Sequence, residues 1–175
     1  MAMVATCAVL RLSMGKLAER LADERRSGVY RVETIDALEE AAAIDRYPIA
    51  RVRLVDADRE NLQRLCVGAL ALSATPGWHG FATALADPAW SPAPGHVLLF
   101  DGFESLGHAE PEALVSLLDA LRTAAARRRG RGMRFFAVFL DPARRLALDP
   151  LYNWLRNPPA AVASLTEQGQ GGGTS

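Results

Sequence analysis

The sequence predicts an α/β fold in which a small sheet of three or four mainly parallel strands is packed with helices. Strand-like segments near residues 29–32, 49–55, 96–100 and 134–140 alternate with segments that carry apolar residues at helical spacing. Such alternation favours parallel pairing, because each helix returns the chain to the same edge of the sheet. The third strand segment has no polar residue after its first position, which is typical of a central strand covered on both faces.

The length and composition of the chain indicate a single domain. A chain of 175 residues suits one domain, and with half of the residues hydrophobic it can bury a substantial core. We predict a single domain over residues 1–157, with an N-terminal helical extension. Residues 158–175 are rich in small and polar residues and offer little apolar surface, so we expect a disordered tail.

Three helices are predicted before the third strand. The first runs over residues 16–25, where leucine and alanine recur at helical spacing. Thr34 is expected to cap the second helix, which stops before Pro48 because the residue ahead of a proline avoids helical geometry. Asp58 is expected to cap the third, and Cys66 lies on the apolar stripe of that helix as a small core residue.

Two further helices are predicted after the third strand. Asp101 and Glu104 have the spacing of a capping box for a short helix. Pro111 fits the first turn of the longest helix, because the missing N–H has no partner there in any case. Arg127 to Arg129 fall in the last turn of that helix, where positive charge favours the helix dipole.

Charge and cysteine content restrict the location and the partners. Twenty basic residues balance twenty acidic ones, so net charge gives no global argument for nucleic-acid binding. Cys7 and Cys66 are too few for a disulfide framework, and we identify neither a secretory signal nor a membrane span. We therefore predict a cytoplasmic protein with no membrane association.

The sequence lacks the patterns that support catalysis. No glycine-rich phosphate loop follows a strand. His79, His96 and His108 lack metal-ligand spacing, and there are no paired cysteines. We therefore predict that the protein is not an enzyme, with no catalytic residues, no cofactor and no metal.

The segment from residue 76 to residue 106 is the most informative part of the chain. An aromatic–glycine turn is followed by an alanine-rich helical turn that ends in an aspartate, and by a tryptophan. Aromatic side chains supply contact area at low entropy cost, and a carboxylate fixes register against a basic partner. Trp78 is expected to be exposed, because Gly77 and Gly80 flank it in a surface turn. The alternative is a core role for one or both of Trp78 and Trp90. The predicted protein-binding residues are Trp78, His79, Gly80, Thr83, Asp87 and Trp90.

This order of parts resembles the barstar family, whose members inhibit ribonucleases of the barnase type. Residues 78–80 stand at the aromatic–glycine turn of the family, residues 84–87 at its Ala-Leu-x-Asp part, and residues 97–100 at its hydrophobic strand. The resemblance extends from about Val29 to Leu140 and so covers most of the chain. It implies a barstar-like fold.

The resemblance also implies a function, with three departures from the family pattern. The family asparagine is missing, and one residue is deleted between Gly80 and Ala84. Thr83 stands where the family has its first aspartate, and Arg127 to Arg129 stand where barstar carries carboxylates that face its enzyme. The implied activity is that of an inhibitor or immunity-type protein that occludes a secreted ribonuclease or another toxin, with Asp87 imitating a phosphate. Secondary contacts are considered at Asp101, Glu104, Arg127, Arg128 and Arg129.

A second hypothesis rests on the densest charge run in the chain. Arg127 to Arg131 contains four arginines, and the alternative function is an interaction module that binds RNA or an acidic partner through them. The structural interpretation of the same run is a solvated helix end. No aromatic residue interleaves with these arginines, so a stacking platform for single-stranded nucleic acid is unsupported and nucleic acid is the less favoured partner. The oligomeric state is left open.

Overall fold

The computed structural model describes residues 16–73 and 76–152, and its centre is a parallel sheet. The four strands are β1 (Gly28–Val32), β2 (Ile49–Arg53), β3 (Gly95–Asp101) and β4 (Arg134–Leu140). They lie in the order β1-β4-β3-β2, and all three neighbouring pairs are parallel. The predicted α/β class and the parallel sheet are thereby confirmed, although β2 ends two residues earlier than expected.

Helices cover both faces of this sheet. Residues 16–22 are helical, and a 3₁₀ turn follows at Glu24–Arg26 where the sequence predicted a continuous helix. Asp23 caps this 3₁₀ turn, and its side chain accepts a hydrogen bond from the backbone N–H of Arg25 at 3.0 Å. The remaining helices are α1 (Asp36–Ile44), α2 (Leu62–Ala69), α3 (Trp78–Ala86), α4 (Glu104–Ala109) and α5 (Pro111–Arg129).

The core is divided by the sheet into two apolar layers. Side chains alternate between the faces of a strand, so Leu98 and Phe100 of β3 join the layer formed with α2 to α5. Val97 and Leu99 point the other way and pack with α1 and the helical residues 16–22. The central strand predicted from the unbroken apolar run is confirmed, because residues 96–100 are all buried.

The outer edge of β1 is partly covered by the chain that follows β4. The backbone N–H of Arg31 donates to the carbonyl of Asp149 at 3.1 Å, and Leu151 N–H donates back to Arg31 at 2.9 Å. The side chain of Leu151 is fully buried in the core layer beside α1. The predicted tail at residues 158–175 lies outside the described residues.

Two of the predicted helix caps are wrong. The helix that Thr34 was expected to cap begins after Ile35, whose backbone is already helical, and no side chain in the described residues caps its first turn. Asp101 forms no capping box, because it closes β3, faces Arg53 at 3.7 Å and is followed by Gly102 at a φ of 71°. Phe103 occupies the cap position instead.

One local prediction holds, and a third predicted cap is wrong. Pro111 is the first residue of α5, as its fixed φ and missing N–H favour. Asp58 lies three residues ahead of the cap of α2 and accepts hydrogen bonds from the backbone N–H groups of Glu60 and Asn61, at 2.9 and 2.8 Å. Asn61 occupies the cap position of α2, so the predicted cap at Asp58 is wrong, and Asp58 instead shapes the turn that leads into the helix.

Candidate functional site

Helix α3 is held at its beginning by the side chain of Gln63 on α2. The Gln63 amide donates to the carbonyl of Gly77 at 2.9 Å, and its oxygen accepts from the N–H of the same residue at 3.1 Å. Gly77 has a φ of 87°, a conformation that suits glycine, and it directly precedes the helix. No motif in the sequence indicated this role of Gln63.

One face of α3 is exposed and the other is buried. His79, Thr83 and Asp87 recur every four residues along the exposed face, while Phe81 and Leu85 enter the core. We call these three exposed residues the α3 face. The Thr83 hydroxyl donates to the carbonyl of His79 at 2.9 Å, and the Asp87 carboxylate accepts from the N–H of Ala89 at 2.8 Å.

Three of the predicted partner contacts are less accessible than expected. Gly80 is buried on the inner side of α3, so it cannot contact a partner while the helix is intact. Trp78 is half-buried, because its ring packs edge-on against Phe81 with the ring centres 5.6 Å apart. Trp90 is also half-buried, and its indole N–H donates to the carbonyl of Leu70 at 2.9 Å.

Arg128 on α5 is the main structural determinant of the segment that follows α3. Its side chain is 0% exposed, so the predictions of a solvated side chain and of a secondary contact are wrong for this residue. Its guanidinium donates to three backbone carbonyls, those of Leu85 at 2.7 Å, Asp87 at 3.0 Å and Ser91 at 3.5 Å. A planar group with five N–H donors can hold several acceptors at once, and the last carbonyls of a helix otherwise lack partners.

The buried charge of Arg128 is stabilised by dipoles and rings. Burial lowers its pKa from the ordinary value and the nearby Arg131 adds to this, whereas Asp87 opposes the shift. The guanidinium lies 5.1 Å from the centre of the Trp90 ring and 5.8 Å from that of Phe135. Ring faces and the carboxyl end of α3 both carry partial negative charge, and an arginine therefore remains charged there.

Two further arginines, one in the last turn of α5 and one just after the helix, also bond α3. Arg127 donates to the hydroxyl of Thr83 at 2.8 Å, and Arg131 donates to the carbonyl of Ala86 at 2.6 Å. Arg129, by contrast, is exposed. The basic run and the recognition segment, which the sequence presented as separate candidates, are therefore parts of one site.

His96 connects this site to the sheet. It is 7% exposed, its Nδ1 lies 2.8 Å from the Ser91 hydroxyl, and its ring packs on Trp90 with centres 4.5 Å apart. Burial, with a smaller contribution from Arg128, lowers the pKa of His96 to about 4. The histidine is therefore neutral at physiological pH and acts as a core residue.

The carboxylates considered as secondary contacts lie elsewhere. Asp101 and His96 stand at opposite ends of β3, which spans roughly 20 Å at the usual rise per residue. Glu104 is exposed just beyond Asp101. The structure therefore does not bring these two carboxylates together with Asp87, which lies at the His96 end.

A small cavity opens between α3 and the end of α5. Its volume is about 220 Å³, and it is lined by Thr83, Ala86, Asp87, Pro88, Arg127 and Arg131. A second cavity of about 560 Å³ lies at the other end of α5, beside Asp58, Arg59 and Glu110. There Arg59 pairs with Glu112 at 2.8 Å across an exposed surface.

The groups that could support other chemistry are separated or buried. In residues 16–73 and 76–152, no three His, Cys, Asp or Glu side chains are placed to hold a metal ion. Burial raises the pKa of Cys66 to about 12, so this thiol stays protonated, and its predicted place in the core is confirmed. None of the helices in the described part of the chain has the length and apolar character to span a membrane.

Fold and site together define a small parallel α/β domain that exposes one face of an arginine-anchored helix. The family model described as Barstar (barnase inhibitor) matches residues 50–140, which is more than half of the chain, and the protein therefore belongs to the barstar family. The match includes α3, α5 and the two central strands, and it begins later than Val29. Searches of curated proteins and of solved structures gave no significant match.

Proposed function

We propose that this protein is a non-enzymatic inhibitor or immunity-type protein that binds a toxin, with a secreted ribonuclease as the first candidate partner. It would act in the cytoplasm by docking the α3 face on the partner and occluding its active groove. The proposal is supported by membership in a family of barnase inhibitors. The observation that carries it is an exposed helix face whose two ends are held by Gln63 and Arg128.

This anchoring favours binding because the recognition helix is ordered before the partner arrives. Association costs free energy when side chains and loops must be ordered at the interface. Gln63 holds the first turn of α3, and Arg128 holds its last turn together with the loop to Ser91. A partner therefore meets a preformed surface, with Asp87 available to face a basic group.

The same contacts argue against the RNA-binding alternative. Arg128 is buried, and Arg127 and Arg131 each donate to α3, so the basic run is not a continuous exposed patch. Non-specific nucleic-acid binding relies on several accessible positive charges that release counterions. A protein partner fits this surface better than RNA does.

The proposed function is tested by inhibition of a barnase-type ribonuclease, and of toxins encoded beside this chain, at equimolar protein. Asp87→Ala should weaken inhibition and slow association, most visibly at low salt, because the carboxylate steers a basic partner. Asp119→Ala is the matched control, since this exposed carboxylate pairs with Arg122 within α5. Equal inhibition by Asp87→Ala and the wild type would contradict the proposed role of the α3 face.

Trp78→Ala should reduce affinity by about 2 kcal/mol or more if the exposed part of the ring enters a pocket of the partner. The substitution also removes the packing on Phe81, so the melting temperature of the variant must be measured alongside. His79→Ala removes an exposed side chain of the neighbouring α3 face and separates lost binding from lost stability. Unchanged affinity in both variants would place the interface elsewhere.

A further inference from the structure

We propose that the cavity between α3 and the end of α5 binds one carboxylate side chain of the protein partner. This inference rests on the proposed function, because it assigns a contact within the same docking surface. The cavity holds about 220 Å³ and has arginines on one side, with Thr83 and Asp87 on the other.

The two arginines are oriented before any ligand binds. Arg127 uses one donor for the Thr83 hydroxyl at 2.8 Å, and Arg131 uses one for the Ala86 carbonyl at 2.6 Å. Each guanidinium carries five N–H donors, more than the bonds it makes within the described residues. Planar groups fixed in this way bind carboxylates well, because little side-chain freedom remains to be lost.

The net charge of the cavity lining favours a ligand that carries a single negative charge. Two arginines and one aspartate line the cavity. The guanidinium of the buried Arg128 already donates to three backbone carbonyls. A phosphate dianion would meet the Asp87 carboxylate at close range, and like charges in contact disfavour binding. A carboxylate brings a smaller charge and can bind the arginine side of the cavity.

Thr83 makes this contact specific to the present chain. The residue of α3 that Arg127 bonds carries a neutral hydroxyl, so the inhibitor itself offers no carboxylate there. The partner must then supply the negative charge, beside the basic group that faces Asp87. A partner whose groove is basic throughout would place positive charge against Arg127 and Arg131 and would be rejected.

The test needs no identified partner. The full-length protein is titrated with the blocked tripeptide Gly-Glu-Gly, with its Gly-Gln-Gly counterpart and with inorganic phosphate, at constant ionic strength. Side-chain Nε–Hε signals of the arginines are followed by NMR. We expect saturable shifts at Arg127 and Arg131 with the glutamate peptide, none with the glutamine peptide, and weaker binding of phosphate.

Variants assign the binding to the cavity. Arg127→Gln with Arg131→Gln should weaken binding of the glutamate peptide by about tenfold or more, because two charge-assisted contacts are lost. Arg122→Gln with Arg129→Gln removes the same number of positive charges from exposed positions of α5 outside the cavity and should leave binding unchanged. Arg127→Lys with Arg131→Lys keeps the positive charges but lacks the planar guanidinium groups. Its affinity for the glutamate peptide should lie between that of the wild type and that of the double glutamine variant.

Several results would overturn the inference. They are absent shifts, equal shifts at Arg122 and Arg129, equal binding of the glutamine peptide, or tighter binding of phosphate. The last result would indicate a nucleic-acid or phosphate ligand instead. Toxin inhibition that depends on Asp87 while peptide binding fails would refute this inference and leave the proposed function intact. Peptide binding at Arg127 and Arg131, together with toxin inhibition that does not depend on Asp87, would refute the proposed function alone.

Discussion

The two ends of α5 are each attached to a neighbouring segment by an arginine, but in opposite environments. At the amino end, the Arg59 side chain is 62% exposed and pairs with Glu110 and Glu112. At the carboxyl end, Arg128 is fully buried and donates to backbone carbonyls of α3 and its exit loop. One arginine therefore meets carboxylates in water, and the other meets peptide groups in the core.

This difference indicates which contact determines the structure of the binding segment. An exposed ion pair gains little, because water and salt screen it and two long side chains must be ordered. Removal of a buried guanidinium leaves its carbonyl acceptors without N–H donors, and water cannot take the place of those donors in the core. The unpaired carbonyls then lower the free energy of unfolding. The carboxyl end of α5 should therefore control the fold of the α3 region, while the amino end should tolerate substitution.

The largest expected effect comes from Arg128→Ala. Loss of the side chain removes the donors to the Leu85 and Ser91 carbonyls and leaves a cavity beside Trp90, while the Asp87 carbonyl keeps the N–H of Trp90, so we expect a loss of about 3–5 kcal/mol in the free energy of unfolding. Urea denaturation measures it. Arg129→Ala, at the next position but exposed, should stay within about 0.5 kcal/mol of the wild type. A loss below about 1 kcal/mol for Arg128→Ala would remove the contrast between the two ends.

The second prediction concerns pH at the buried end. His96 has a pKa of about 4 in the fold against 6.5 ordinarily, so the unfolded chain binds the extra proton first. Stability due to neutral His96 is complete above about pH 6.5 and is lost as pH falls toward 4, by about 3 kcal/mol.

The pH prediction is checked by urea denaturation at several values between pH 7 and pH 4.5. Unfolding free energy should fall less steeply in His96→Gln than in the wild type, because the variant lacks the titrating ring. His108→Gln replaces an exposed histidine and should keep the wild-type slope. Identical slopes for all three proteins would show that His96 is not the group that titrates.

A smaller effect is expected for Trp90→Phe. The variant retains a ring beside Arg128 but leaves the carbonyl of Leu70 without the indole donor, at a cost of about 1–2 kcal/mol in unfolding free energy. Trp78→Phe is the comparison, because the described residues offer no hydrogen-bond partner to its indole. Thermal unfolding of the two variants should rank Trp90→Phe lower, and the opposite order would assign the structural role to Trp78.

The smallest effect is expected for Arg59→Ala at the amino end of α5. Its ion pairs are exposed, so the free energy of unfolding should fall by less than about 1 kcal/mol. The difference from the wild type should shrink further as salt is added, which urea denaturation at two ionic strengths can measure. A loss as large as that of Arg128→Ala would reverse the comparison between the two ends.

The sheet could be predicted from the sequence because its signal is local. Residues 97–100 and 135–139 are unbroken apolar runs, and such runs leave a central parallel strand as the simplest outcome. The proline at the start of α5 is equally local. The caps were less predictable, because turn geometry at Gly102 and the helical backbone of Ile35 decided them.

The role of Arg128 was missed because three consecutive arginines suggest a uniformly solvated helix end. Successive helical residues differ in direction by about 100°, so such a run cannot share one environment. Arg128 follows Leu114, Leu117, Leu121 and Ala124 at the same helical spacing, and all of these are buried. That register was the available signal. The bonds from Gln63 to Gly77 depend on tertiary packing and left no such trace.

The anchoring of α3 by Arg128 and Arg131 has a consequence for how this surface can evolve. Arg128 donates to the main-chain carbonyls of residues 85, 87 and 91, and Arg131 donates to that of residue 86. Every amino acid supplies a main-chain carbonyl. Exposed side chains of α3 can therefore be exchanged without loss of these bonds. A lineage can thus change partners by single substitutions on a helix whose position is fixed by residues outside it.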